Sequence, residues 1–444
     1  MVDINKHTPS LRFPEFLNDG EWKEHTFSDV FTFVPNNTLS RANLNNENGS
    51  VQNIHYGDIL IKFGEYLNVQ TEHLPFISNV QDIERYRKAK LANGDVIIAD
   101  TAEDETVGKC TELVGISDEF IVSGLHTIAV RPNNTFATGY LGFYMNSNSY
   151  REQLKRVMQG VKVLSVSKTA ISQTRLRFPS SRIEQGRIAD CLTFLDSYIY
   201  DTKSKLQQLK AHKRGLMQRL FPAKGKTVPT VRFSEFKNDG EWEEHAFSDI
   251  FTFIPNNTLS RANLNNENGS VQNIHYGDVL IKFRECLNVQ NERLPFISDV
   301  QDIERYHKVR LVNGDVIIAD TAEDETVGKC TELIGLAGEI IVPGLHTIAI
   351  RPNKMFASGY LGFYMNSNSY REQLTQIMQG IKVLSISKTA ISHTKIRFPS
   401  SINEQEKIAR SLSSINDEIK SYEDKITALE LHKKGLMQQL FPKL

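Results

Sequence analysis

A seam of mostly apolar positions runs through Ile188, Leu192, Leu195, Ile199, Thr202, Leu206, Leu209, Lys213, Leu216 and Leu220, spaced alternately four and three residues apart. The same register returns at Ile408, Leu412, Ile415, Ile419, Tyr422, Ile426, Leu429, Lys433, Leu436 and Leu440. A repeat of about 3.5 residues sustained over this length is the signature of a coiled-coil helix. Ser181 with Glu184, and Ser401 with Glu404, read as capping boxes that start each helix. Pro222 and Pro442 stop them, and Lys213, Arg214, Lys433 and Lys434 suit the negative end of the helix dipole. Each helix has about 40 residues and so spans roughly 60 Å. With one seam in each half of a single chain, the two helices are expected to pair with each other, antiparallel, Ile188 facing Leu440 and Leu220 facing Ile408.

Between the seams the pattern changes to short runs bounded by turn residues. Val96–Ala99, Thr127–Arg131 and Arg175–Phe178 read as strands, as does Ile59–Phe63 after the turn Tyr56-Gly-Asp58. Ser149 with Glu152 reads as the cap of a short helix ending near Gly160. The whole unit is then written again at an offset of 220 residues without a gap, Arg12 recurring as Arg232 and Phe221 as Phe441. Ser40–Asp58, Asn93–Leu113 and Gly139–Leu154 recur verbatim. That period is too long for a solenoid and marks a duplicated domain. The expected architecture is α+β: a mixed domain over 1–180, a long helix over 181–222, a second domain over 223–400 and a second helix over 401–444, the helices forming an antiparallel coiled coil.

Composition adds limits. The 444 residues carry 52 Lys and Arg against 53 Asp and Glu, with hydrophobic residues at 40%. That balance describes a globular protein and gives no bulk attraction to nucleic acid. No run is long and apolar enough for a membrane span, and the opening stretch has no apolar core for a signal peptide, so a cytoplasmic location is expected. The four cysteines form no C-x-x-C and only Cys110 and Cys330 are repeat-equivalent, which argues against a disulfide framework or zinc site.

Charge is uneven within each unit. Ser149 to Phe178 holds Arg151, Lys155, Arg156, Lys162, Lys168, Arg175 and Arg177 against the single acid Glu152. Its copy keeps Arg371, Lys382, Lys388, Lys395 and Arg397 but has Thr375 and Gln376 in place of Lys155 and Arg156. A basic segment interleaved with Ser, Thr and Gln suits phosphate contacts and base-edge hydrogen bonds, and equally a solvated polar face. The acidic run Asp100-Thr-Ala-Glu103-Asp104-Glu105 has no Lys at nuclease spacing and reads as an exposed loop, with Lys109 and Lys329 placed after it to meet phosphate. Gly225-Lys226-Thr227 lacks the earlier glycine of a P-loop, and no G-x-G-x-x-G, H-E-x-x-H or G-x-S-x-G occurs. The Asn/Asp-Pro-Pro-Tyr/Phe signature of amino-methyltransferases is also missing. His126 and His346, beside apolar strands, read as structural histidines.

Two globular halves, each followed by a helix that reads Phe178-Pro-Ser-Ser-x-x-Glu184-Gln-x-x-Ile188-Ala and ends Lys213-Arg-Gly-Leu-Met-Gln-Arg-Leu-Phe-Pro222, resemble the specificity subunit of type I DNA restriction-modification systems. The second helix, from Phe398 to Pro442, matches as well. The resemblance implies two target-recognition domains on double-stranded DNA, spaced by paired helices that hold two methyltransferase subunits, with restriction subunits joining those. It also implies no catalysis and no cofactor in this chain, S-adenosylmethionine being bound by the methyltransferase partner. The chain departs from the family in having two nearly identical domains, which leads us to expect a gapped, near-palindromic target. On this reading Lys109, Arg151, Lys162, Lys168, Lys329, Arg371, Lys382 and Lys388 are the candidate DNA contacts. Arg284, which stands where the first copy has Gly64, is the candidate guanine contact that would break the symmetry. The competing reading is a duplicated coiled-coil adaptor that binds protein rather than DNA.

Overall fold

The structure, a computed structural model, describes residues 8–80 and 82–442; the first seven residues, part of the opening stretch weighed above, lie outside it. The chain divides into two units, 1–203 with 424–444, and 204–423. Each unit therefore takes its globular part from one copy and completes itself with the far end of the other copy's long helix.

In the first unit a five-stranded sheet runs in the order Phe31–Val34, Thr127–Pro132, Val96–Ala99, Cys110–Val114, Tyr66–Asn68. Its pairings are antiparallel except the last, which is parallel. A four-stranded sheet (Ile121–Ser123, Gln52–Ile54, Phe76–Ile77, Leu44–Asn45) lies beside it in the chain's topology. Two short pairs complete the unit: Lys23–Thr26 with Arg175–Phe178, and Leu164–Ser165 with Thr101–Ala102. The second unit repeats this order strand for strand. Val96–Ala99, buried at every position, behaves as its β-branched run predicts.

Two local expectations are corrected. Ile59–Phe63 is no strand: Tyr56–Ile61 is helical. The His55 ring accepts the Gly57 N–H, so what reads as a turn is a helix N-cap. Ile59 is buried while Ile61 is 89% exposed, and a two-residue alternation would have put them on the same face. Likewise Ser149 caps nothing. Its helix is Asn148–Val157, capped at Ser147, and the Ser149 hydroxyl donates to the Pro442 carbonyl instead.

The long helices are Arg182–Leu220 and Ile402–Gln439. Their pairing is antiparallel. In the first unit Lys203 meets Glu430 at 2.6 Å and Asp196 meets Lys433 at 2.6 Å, so one helix descends as the other climbs. Ile188, Leu192 and Leu440 share one core there, and Leu220, Ile408 and Leu412 share the corresponding core of the second unit. Only half of each capping box forms. Ser181 Oγ accepts the Glu184 N–H, but the Glu184 carboxylate turns inward to Arg12 (2.6 Å) and to the Trp22 indole (3.1 Å). Glu404 meets Arg232 in the same way. The helices end in plugs: Phe441 sits 5.6 Å from the Tyr144 ring, and Phe221 5.8 Å from that of Tyr364.

A buried carboxylate fastens this core. Glu112 accepts the Gly139 and Gly142 N–H groups (2.8 and 3.0 Å), satisfying the start of the helix Tyr140–Asn146. Burial pushes its carboxyl up to about 7 despite those bonds, and Glu332 likewise. Gly142 is required there, since a Cβ would stand 1.9 Å from the Glu65 carbonyl oxygen.

Candidate nucleic-acid interface

The basic segment splits into cations committed to the unit's own structure and cations left at its surface. Lys109 Nζ donates to the Leu60 carbonyl at 3.0 Å, and Lys329 to that of Leu280 at 2.7 Å. Those carbonyls belong to the last turn of a helix, which has no intrahelical donors for them, so each lysine acts as a helix C-cap. Burial lowers both ammonium pKa values. Arg151 donates to the Glu105 and Val107 carbonyls and so closes the acidic loop onto the domain; Arg371 holds Glu325 in the same manner. Within that loop Asp104 accepts the Thr106 N–H and Glu105 pairs with Lys155. Among the described residues, no group of three or more His, Cys, Asp or Glu is arranged to hold a metal.

Arg284 is also engaged. Its guanidinium donates to the Asn416 carbonyl at 3.0 Å and to Glu423 at 2.6 Å, both on the second long helix. The substitution that replaces Gly64 is thus tied to helix packing, where a seam-flanking acid meets it, and the two nitrogens a bidentate guanine contact would use are occupied.

Lys162, Lys168 and Lys382 are exposed and Lys388 half-buried. Lys168 lies over the Phe33 ring, and Lys388 over Phe253 with a 3.4 Å contact to the Asn256 side chain. These lysines belong to a continuous polar face that the sequence does not announce. Leu164–Ser165 pairs with Thr101–Ala102, and the Thr101 hydroxyl stands 3.4 Å from His126 Nδ1. Two residues before His126, the Gly124 carbonyl accepts from Asn36 at 3.4 Å. Tyr56 meets His126 edge-on at 5.3 Å, and Arg41, bound to Asp58, borders the same turn.

His126 and His346 are the only non-glycine residues with positive φ among those described, each at 55°. A left-handed histidine costs of order 1 kcal/mol or more, and such strain gathers where a side chain must be held in a set direction. The expectation of an ordinary structural histidine misses this. The only signal in the sequence is that His126's neighbours, Tyr56 and Thr101, lie in stretches repeated verbatim. The face as a whole offers exposed ammonium groups, amide and hydroxyl hydrogen-bonding groups and a ring, the set that phosphates and base edges require.

Comparison with known proteins agrees with the architecture. The family model described as the type I restriction modification DNA specificity domain matches twice, over residues 19–211 and 239–431. A protein of Methanocaldococcus jannaschii named as the type I restriction enzyme MjaX specificity subunit is 26% identical over 207 residues, 46% of this chain and 46% of that protein. The match thus spans about half the length of that relative. The type I restriction-modification S subunit from M. genitalium shares the fold over 98% of this chain and 100% of its own, with TM-score 0.55 at 12% identity. A chain from a structure titled for complex assembly and conformational transition of the type I R-M system covers 95% of this chain and 98% of its own, with TM-score 0.54 at 14% identity. Both copies of the duplicated unit, each carrying the end of its long helix, are thus instances of one domain type, and the chain belongs to the family of type I restriction modification DNA specificity domains.

Proposed function

We propose that this chain is the sequence-reading subunit of a type I restriction-modification complex. Each unit docks on double-stranded DNA, with phosphate contacts setting its position and a few base contacts its specificity. Methyl transfer belongs to partner methyltransferase subunits held by the paired helices, which bind S-adenosylmethionine and flip the target adenine out of the stack. Restriction subunits join through those partners, and the complex works in the cytoplasm. The observation that carries this reading is that the family domain occurs twice, each time with the same polar face of exposed lysines around a strained histidine.

Lys162, Lys168, Lys382 and Lys388 are the proposed phosphate contacts, with His126, Thr101, Tyr56 and their copies as the polar groups nearest the bases. Lys109, Arg151, Lys329, Arg371 and Arg284 contribute from within, by holding the loops and the long helix that shape this face. Because the two faces are nearly identical, the half-sites should be too, one on each strand, giving a gapped near-palindrome. Methylome sequencing of the host with and without this gene tests the proposal. A modified adenine motif of two matching half-sites should vanish with the gene. Persistence of every modified motif would refute the function, and two unrelated half-sites would refute the symmetry.

A further inference from the structure

Each unit exposes an apolar side chain almost completely at the end of a rigid projection. Val161 is 99% exposed and Ile381 100%, each followed by a lysine and a second, half-exposed valine, Val163 or Val383. Single exposed apolar residues are common, but these tips are built with care. Gln159 and Ser165 exchange two backbone hydrogen bonds (3.0 and 2.8 Å), and Gln379 and Ser385 do the same. Gly160 has φ 118°, and a Cβ there would stand 1.9 Å from the Val163 carbonyl oxygen, so only glycine closes the turn this tightly. Leu164 and Leu384, next along each turn, pack against the core and anchor the base. The tip is therefore held stiffly outward. Nearby exposed positions have drifted between the copies, Lys155 to Thr375 and Arg156 to Gln376, yet the tip changes only from Val to Ile.

We infer that Val161 and Ile381 are wedges that insert against DNA bases and partly unstack one base step in each half-site. This rests on the DNA-reading function proposed above and assigns it a specific contact. Three observations favour DNA as the occupant. The tip rises from Leu164–Ser165, whose partner strand carries Thr101, on the polar face around His126. Among the described residues Lys162 and Lys382 have no acidic partner, so each tip brings a free cation with its apolar residue. An apolar wedge flanked by a cation is the pairing that proteins use to kink a duplex, the lysine meeting phosphate beside the opened step.

The test uses the full chain with its methyltransferase partner and duplexes carrying the mapped target, substituted with 2-aminopurine at successive positions. Unstacking raises the fluorescence of that base. The wild-type complex should show a rise at one step in each half-site in addition to any at the modified adenine. Val161→Ser with Ile381→Ser should abolish that rise and weaken binding by about tenfold, the scale of one lost base contact. Its melting temperature should not change, since the side chains touch nothing in the fold. Lys162→Ala with Lys382→Ala should keep the rise but reduce the salt dependence of binding by about two units of slope. A wild-type complex that binds without the extra rise overturns the wedge and leaves the DNA reading standing, as does a serine variant that keeps the rise. A serine variant that loses the methyltransferase subunit while DNA signals persist overturns it in favour of a protein contact. Failure of the wild-type complex to bind the target at all removes the DNA reading itself.

Discussion

The lysines at matching seam positions, Lys213 and Lys433, occupy different electrostatic settings. Lys433 reaches Glu65 at 2.8 Å and Asp196 at 2.6 Å, so one ammonium sits between two carboxylates. Burial alone would pull it down, but Glu65 and Asp196 outweigh burial and hold it above its ordinary value. Lys213 meets a single carboxylate, Glu285 at 2.6 Å, and the place of Asp196 is taken by Asn416, whose amide donates to Glu285 at 3.0 Å. Removing either cation leaves a largely buried charge and costs about 3 kcal/mol. In Lys433→Met the two carboxylates also face each other across about 5 Å, which at an effective dielectric constant of about 20 adds about 3 kcal/mol of repulsion. No such term exists for Lys213→Met. The added cost must depend on pH. Burial, then Glu65, already raise the Asp196 carboxyl, and loss of Lys433 raises it further. An acid whose folded pKa exceeds its unfolded value binds protons better when folded, so stability falls as pH rises through that window. Urea unfolding of both variants at pH 7 and pH 5 measures this. Lys433→Met should be the weaker by about 3 kcal/mol at pH 7, and the gap should narrow by pH 5. Equal costs at pH 7, or a gap that widens on acidification, would refute the two-carboxylate account.

Leu192, fully buried in the first unit's core, should cost about 3–5 kcal/mol as Asp, from an unpaired buried charge, measured by the same denaturation. Trp22 donates to Glu184 while the Trp242 indole N–H is buried without a partner, so Trp22→Phe should destabilise more than Trp242→Phe by about 1.5–3 kcal/mol. Equal melting shifts would remove that bond from the account. The Glu112 and Glu332 carboxyls should titrate near 7 by selective carbon-13 NMR, and a midpoint below 5 would mean that water reaches them. Because those values are raised, the two glutamates should make the folded state less stable as pH climbs from about 4.3 through 7, seen as falling melting temperatures over that range.

Which features the sequence announces depends on how local their causes are. The coiled-coil seam is a property of one helix's own spacing and survives intact into the structure. Val96–Ala99 is equally legible, because a strand buried on both faces needs only a β-branched run. Tyr56–Ile61 misleads because Gly57 and Asp58 serve a helix start as well as a turn, and the His55 cap that decides between them leaves no separate mark. At the site, positive charge is visible but its destination is not. Lys109 and Lys162 look alike in the sequence, yet one is drawn to a helix end 49 residues away in the chain and the other reaches solvent. The left-handed backbone of His126 is imposed by the strands on either side of it. Arg284 reads as a DNA contact until the second long helix supplies Glu423.

The differences between the copies then fall into a pattern. In the first unit Lys203 pairs with Glu430; in the second, Glu423 pairs with Lys210. Positions 203 and 423 are repeat-equivalent, as are 210 and 430, so the ion pair is kept with its charges exchanged. Arg284 accompanies Glu423, where the first unit has Gly64 with Lys203, and Asn416 replaces Asp196. Two copies of the same half, paired in this register, would set Lys203 against Lys210, or Glu423 against Glu430. At about half exposure each pair adds little stability, yet like charges at these flanking positions disfavour the wrong partner. The duplication has therefore diverged where one helix must choose the other. The stretches around the polar face, Ser40–Asp58 and Asn93–Leu113, have not diverged at all. A clasp that distinguishes its two halves can hold two readers that do not differ, and such a chain selects a symmetric target without pairing with a second copy of itself.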